Sequence, residues 1–128
     1  MKKLILLPCL CIALLAAAQK APKPAITVEV KHNGVSHTVQ EGDTIHLGYG
    51  STPYGSFMFV ENGAPPQGML KQYGGKSGLV TKVKYWKSID QYQLYIKVPG
   101  AGSYVVNVPQ AVDKDEVIGF NQDWYKKN

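Results

Sequence analysis

The sequence predicts an all-β domain, a small barrel or sandwich, on three observations. Short apolar/polar alternations of period two recur from residue 25 to residue 108. Turn signals rich in Gly, Pro, Asn and Asp separate them at regular spacing. No amphipathic helical pattern longer than about two turns interrupts them. At 128 residues the chain has room for one domain, and 45% hydrophobic with 18% charged residues argues against disorder.

The N-terminus reads as a secretory signal. Met1-Lys2-Lys3 gives a positive start, Leu4 to Ala18 is almost wholly apolar, and Ala16-Ala17-Ala18 supplies the small residues a signal peptidase accepts. Residues 1–18 are therefore expected to be cleaved off before Gln19. The apolar run is shorter than the roughly 20 residues a bilayer span needs, so no stable membrane span is expected after cleavage. Cys9 and Cys11 fall inside this segment, and Pro8 and Leu10 ahead of them fit a lipidation site poorly. The mature chain then lacks cysteine, which excludes disulfides, thiolate metal sites and a Cys nucleophile. It carries 12 lysines against 9 acids and no arginine. Without the bidentate guanidinium fork, no nucleic-acid partner is expected. The expected location is periplasmic or extracellular. Residues 19–24, with Lys20-Ala21-Pro22-Lys23-Pro24, read as an extended linker. The domain is expected over 25–120, with a tail at 121–128.

The first hairpin follows from alternation. Ile26, Val28 and Val30 point one way, and Thr27, Glu29 and Lys31 the other. Asn33-Gly34 is a strong two-residue turn signal, because both positions need positive φ. That turn pairs His32 with Val35, Val30 with His37, and Val28 with Val39. Glu41-Gly42-Asp43 turns the chain into a third strand, Thr44 to Tyr49, with Ile45, Leu47 and Tyr49 inward. Phe57-Met58-Phe59-Val60 forms a fourth. The Gly/Pro-rich stretch from Glu61 to Gly78 is expected to hold little regular structure, and long loops of that kind are often functional.

Leu79–Lys87 and Tyr92–Val98 form a second hairpin. A four-residue loop, Ser88 to Gln91, pairs Tyr85 with Leu94, Val83 with Ile96, and Thr81 with Val98. The opposite face carries Lys82, Lys84, Trp86, Gln93, Tyr95 and Lys97. Ser103 to Val108 is the last strand, with Tyr104, Val106 and Val108 inward. Pro109 to Val117 can hold one or two helical turns, since Pro109 sits where a missing N–H is harmless. Ile118 to Asn128, with Phe120, Trp124 and Tyr125, closes the chain.

Over Gly42-Asp43-Thr44-Ile45-His46-Leu47-Gly48-Tyr49-Gly50-Ser51, then Gly55 and Phe57-Met58-Phe59, the chain resembles a group of small exported bacterial proteins. Ser103-Tyr104-Val105-Val106-Asn107-Val108, Ala111-Val112 and Glu116-Val117-Ile118 extend the resemblance, which covers about residues 42–120. It implies a partly closed SH3-like β-barrel, here with an added N-terminal hairpin and a short C-terminal helical turn. The group has no established biochemical role, so the resemblance carries over no catalytic residue.

Candidate chemistry is sparse. His32 and His37 would be diagonal neighbours on one hairpin face, and zinc would need His46 and Asp43 besides. Their spacing matches no metal signature, so they read as hairpin-edge histidines, and no metal or cofactor is expected. Ser, His and Asp occur without a Gly-x-Ser-x-Gly elbow. Gly75-Lys76-Ser77 lacks the earlier glycine of a phosphate loop, because that position is Leu70. Asp113, Asp115 and Glu116 crowd one segment and read as solvating it. The chain is therefore expected not to be an enzyme, and a small hydrolase ranks last.

The strongest candidate surface is the lysine–aromatic face of the second hairpin. Trp86 and Tyr95 would be diagonal neighbours framed by Lys82, Lys84 and Lys97, with Lys82 directly facing Lys97. Aromatic rings beside ammonium groups suit sugar rings or anionic polymers. The leading expectation is an exported binding module for cell-envelope or host glycan, or an anionic envelope polymer. The alternative is a protein-interaction domain, an envelope adaptor or inhibitor, using the 61–78 loop or a sheet edge. Tyr54 and Tyr73 are its candidate contacts.

Overall fold

The chain is described by a computed structural model over residues 25–30 and 35–124. It is mostly β, with 53% of the described residues in strands and 8% helical. β1 (Ala25–Val30) and β2 (Val35–Gln40) pair as a two-stranded antiparallel sheet. A second sheet holds β3 (Thr44–Leu47), β4 (Val60–Asn62), β5 (Gln67–Gly68), β6 (Ser77–Trp86), β7 (Gln91–Val98), β8 (Gly102–Val108), β9 (Val117–Phe120) and β10 (Asp123–Trp124). Its spatial order is β10-β9-β3-β6-β7-β8-β4-β5, and it does not close into a barrel. A single 3-10 turn, Lys71–Tyr73, lies between β5 and β6. The helix α1 (Gln110–Asp113) links β8 to β9.

The core follows the period-two pattern. Leu94, Ile96 and Val98 of β7 and Tyr104, Val106 and Val108 of β8 face inward, as their alternation requires. Ile26, Val28 and Val39 of the hairpin join the same buried cluster. β3 lies between β9 and β6, so Ile45 and Leu47 are core while His46, on the other face, is also covered.

Both hairpins shift register; the first keeps the expected parity, whereas in the second Thr81 and Tyr85, expected to share the buried face of Val83, are exposed. In the first, Val30 opposes Val35, Val28 opposes His37 and Ile26 opposes Val39, two residues off the expected pairing. The offset is an even one, which leaves the same side chains buried. His32 and the Asn33-Gly34 turn lie outside the described residues. In the second, the loop is Lys87–Asp90, so Tyr85 opposes Tyr92 and Val83 opposes Leu94. An irregularity between Val80 and Lys82 shifts the register again. It turns Thr81 outward and places Val80, opposite Ile96, in the core.

Other expectations are corrected where side chains outcompete local pattern. Tyr49 is exposed rather than inward, because β3 ends at Leu47 and Gly48 donates its N–H to the Glu116 carbonyl. The fourth strand starts at Val60 rather than Phe57. The 61–78 stretch carries β4, β5, the 3-10 turn and the start of β6 instead of a structureless loop. Met69 is buried and bonded through its backbone to Phe57 and Val60. Residues 121–124, expected to begin a tail, fold back onto the sheet. β9 is wholly buried against β3, and β10 folds back on β9.

Glu116, expected to be solvated, is fully buried. Its carboxylate accepts four hydrogen bonds. Oε2 takes the Ser51 N–H at 3.0 Å, the Ser51 hydroxyl at 2.6 Å and the Met58 N–H at 2.7 Å, and Oε1 takes the Phe59 N–H at 2.7 Å. These donors explain why residues 57–59 leave strand pairing. Two of their amides point at a carboxylate instead of a neighbouring strand. A buried carboxylate so satisfied is tolerable, whereas removing its charge leaves donors facing an amide. Glu116→Gln should therefore cost about 3 kcal/mol of stability, read as a lower urea midpoint. An unchanged midpoint would contradict this role.

Candidate functional site

The face of β6, β7 and β8 opposite the core carries the side chains singled out from sequence, but in a different arrangement. Lys82 opposes Tyr95 rather than Lys97, and Lys97 opposes Leu79. The expected like-charge pair is absent. Trp86 opposes Gln91, so its ring and that of Tyr95 lie four ladder positions apart, about 13 Å at strand rise, with the Lys84–Gln93 pair between them. They are not diagonal neighbours, because the shorter register moves Trp86 to the end of the ladder.

Each ring instead takes its own lysine. The Lys84 ammonium lies 3.9 Å from the Trp86 ring centroid and that of Lys82 5.5 Å from the Tyr95 centroid. Such cation–π contacts contribute about 0.5–1 kcal/mol where exposed. The Trp86 indole N–H donates to Gln93 Oε1 at 2.6 Å, Gln93 Nε2 to Asn107 Oδ1 at 2.9 Å, and Asn107 Nδ2 to Glu61 Oε1 at 2.7 Å. The bonds run in one direction across β6, β7, β8 and β4 and end on a carboxylate, an order in which each polarises the next. Trp86, 39% exposed, is thus braced by its neighbours. Sequence parity placed Gln93 on this face, and the same parity on β8 places Asn107 there. Glu61 was assigned to a loop, so the end of the ladder could not be read.

Tyr95 is the part of the expected site that faces a concavity. Together with Asn62, Gly63, Thr81, Ser103 and Val105 it lines a shallow groove of about 330 Å³. The β4–β5 turn forms one wall, and the irregular stretch at Thr81 forms the other. Thr81 Oγ1 donates to the Tyr95 carbonyl at 3.1 Å, which fixes that wall. Lys97 opposes Ser103 and so flanks the groove. Of the predicted residues Tyr95 lines this groove, with Lys82 over its ring and Lys97 beside Ser103 at its edge, while Trp86 and Lys84 stand apart as a braced strut. Neither loop candidate belongs to it. Tyr54 is 88% exposed, and Tyr73 is half-buried against the core.

His37 and His46 are not hairpin-edge residues, and His32 lies outside the described residues. His37 is buried beside Phe120, with Asp123 3.7 Å from its Nδ1. His46 is buried with Nε2 2.5 Å from the Asn121 carbonyl, which can only accept, so Nε2 carries a proton. In the neutral ring Nδ1 then accepts from the Ser77 hydroxyl at 2.8 Å. Trp124 stacks on the His46 ring, 3.6 Å between centroids, and this contact docks the chain end. Asp43 caps a turn by accepting the Gln40 N–H. No group of three His, Cys, Asp or Glu side chains suited to a metal occurs among the described residues.

No protein-family model, curated protein or solved structure matches this chain. Among the described residues no helix is long and apolar enough to cross a membrane.

At the end of the strut, Tyr85 donates its hydroxyl to Asp90 at 2.8 Å, and this bond to a carboxylate holds the phenol above its usual value of about 10. Burial raises Tyr104 likewise. Both shifts favour the protonated phenol in the folded chain. Their stabilisation is complete below about pH 10 and is lost as pH rises through the raised folded values. Stability should fall above about pH 10, and Asp90→Asn should return Tyr85 toward its usual value in an ultraviolet titration. A titration identical in the two proteins would contradict the Tyr85–Asp90 assignment.

Proposed function

We propose that this chain is an exported, non-enzymatic binding module for glycan or an anionic polymer of the cell envelope or a host. In this reading residues 1–18 are a signal peptide, and the chain shares its architecture with the small SH3-like exported proteins it resembles over residues 42–120. The observation that carries the reading is the groove beside Tyr95. A ring wall, hydroxyl and amide rims at Thr81, Ser103 and Asn62, and two flanking lysines are groups that stack on sugars, hydrogen-bond their hydroxyls and attract acidic substituents. The groove is shallow, which suits a polymer lying along the surface more than an enclosed small molecule.

The test is retention of the protein on insoluble peptidoglycan and on an immobilised polyuronate, at low and high salt. Tyr95→Ala should lower retention about 10-fold while the circular dichroism spectrum is unchanged. Trp86→Ala should lower it less, since that ring is braced outside the groove. Lys82→Gln with Lys97→Gln should remove the salt-sensitive part. Retention that is absent on both supports, or indifferent to Tyr95, would refute the groove as a glycan site.

A further inference from the structure

A second surface stands on different residues from the groove. Residues 48–58 and 68–76 run side by side at the end of the sheet held by Glu116. Gly75 donates its N–H to the Gly48 carbonyl, Leu47 to that of Lys76, and Phe57 to that of Met69. The Tyr49 ring lies against Gly74 and Gly75, and the aliphatic stem of Lys71 lies against Gly55. On this frame four large apolar side chains are exposed: Tyr49, Tyr54, Met58 and Leu70. Tyr54 is the most exposed of them, at 88%. The two segments carry Lys71 and Lys76 and no acidic residue.

The cost of holding such side chains in water is set by their apolar area, and nothing in the fold recovers it. The frame is rigid by construction, because three backbone or hydroxyl donors of Ser51, Met58 and Phe59 end on the Glu116 carboxylate together with a fourth, the remaining group of Ser51. A rigid rim keeps its apolar groups outward instead of letting them collapse onto the core. Tyrosine, with an apolar ring and a polar tip, and lysine, with an apolar stem and a charged head, are the side chains that settle at a lipid–water boundary. Met58 and Leu70 supply the part that enters the acyl region. The two lysines select headgroups of negative charge, each adding a modest attraction near the surface.

We infer that the rim formed by Tyr49, Tyr54, Met58 and Leu70, with Lys71 and Lys76, docks this protein peripherally on an anionic lipid surface. The rim does not depend on the Tyr95 groove, and either can fail alone. Docked this way, the described residues rest on the bilayer by loops.

The test reads the position of the rim directly, so an apolar N-terminal segment in the full chain cannot mimic it. Tyr54→Trp places a reporter in the rim, and Ile89→Trp places one in the β6–β7 loop, where Ile89 is also exposed. Both full-length variants keep Trp86 and Trp124, so the background is common. Each is mixed with vesicles of phosphatidylglycerol and phosphatidylcholine whose acyl chains are brominated. Tyr54→Trp should be quenched and blue-shifted well beyond Ile89→Trp. Lys71→Gln with Lys76→Gln in the Tyr54→Trp background should weaken partitioning about 30-fold, the worth of two near-surface lysines. Quenching equal at the two positions, or none at either, overturns the rim as the docking surface and leaves it to a protein partner. Equal quenching on vesicles of phosphatidylcholine alone overturns the preference for anionic lipid.

Discussion

The buried carboxylate of Glu116 is the constraint on which one end of this protein depends. Its backbone N–H donates to the Ala111 carbonyl at 2.8 Å, its carbonyl accepts from Gly48, and its carboxylate collects the donors of Ser51, Met58 and Phe59. One residue thereby ties α1, the end of β3 and the connection from β3 to β4 together. A carboxylate placed in this interior without those donors would be severely destabilising. With them it specifies a single path for a segment too rich in Gly, Ser and Pro to specify its own. β4 and β5 are short because the chain reaches them only after that path is complete.

The opposite regime governs the middle of the sheet. β6, β7 and β8 are long and need no polar anchor, since their inward Val, Leu and Ile side chains bury against the hairpin and each other. Their outward face is free to carry polar organisation. The Trp86–Gln93–Asn107–Glu61 chain uses that freedom to brace four strands, and the irregularity at Thr81 bends the surface enough to open a groove beside Tyr95. Strand irregularities serve commonly to re-aim side chains in this way. The site and the brace are therefore parts of one face with different tasks.

How much of this was legible in the sequence depended on where the information lay. Period-two alternation identified β1, β2, β6, β7 and β8 and the buried residues of β7 and β8, because side-chain parity is a local property, but in β6 the irregularity after Val80 put Val80 in the core in place of Thr81, and Tyr85 is exposed. Register was not local. Both ladders are offset by two from the expected pairing, and an even shift satisfied the same parity, so opposing residues such as Lys82 and Lys97 were mispaired while their faces were right. β5 and β10 were missed, and β4 was placed three residues early, because two- and three-residue strands leave no periodic signal. Glu116 was misread because composition alone makes Asp113, Asp115 and Glu116 one acidic group, and only the tertiary path brings amide donors to the last of them. His46 and Trp124, 78 residues apart, could be joined only by the return of β9 and β10 along β3.

The most direct test of the central claim is amide hydrogen exchange at Ser51, Met58 and Phe59 in the unmodified protein, resolved residue by residue. None of the three lies in a strand or helix, so ordinary loop amides there would exchange within the rapid class. The Glu116 anchor predicts protection at all three comparable to that of β3, in contrast to fast exchange at the exposed Tyr54. Exchange of Ser51, Met58 and Phe59 as rapid as that of Tyr54 would contradict it.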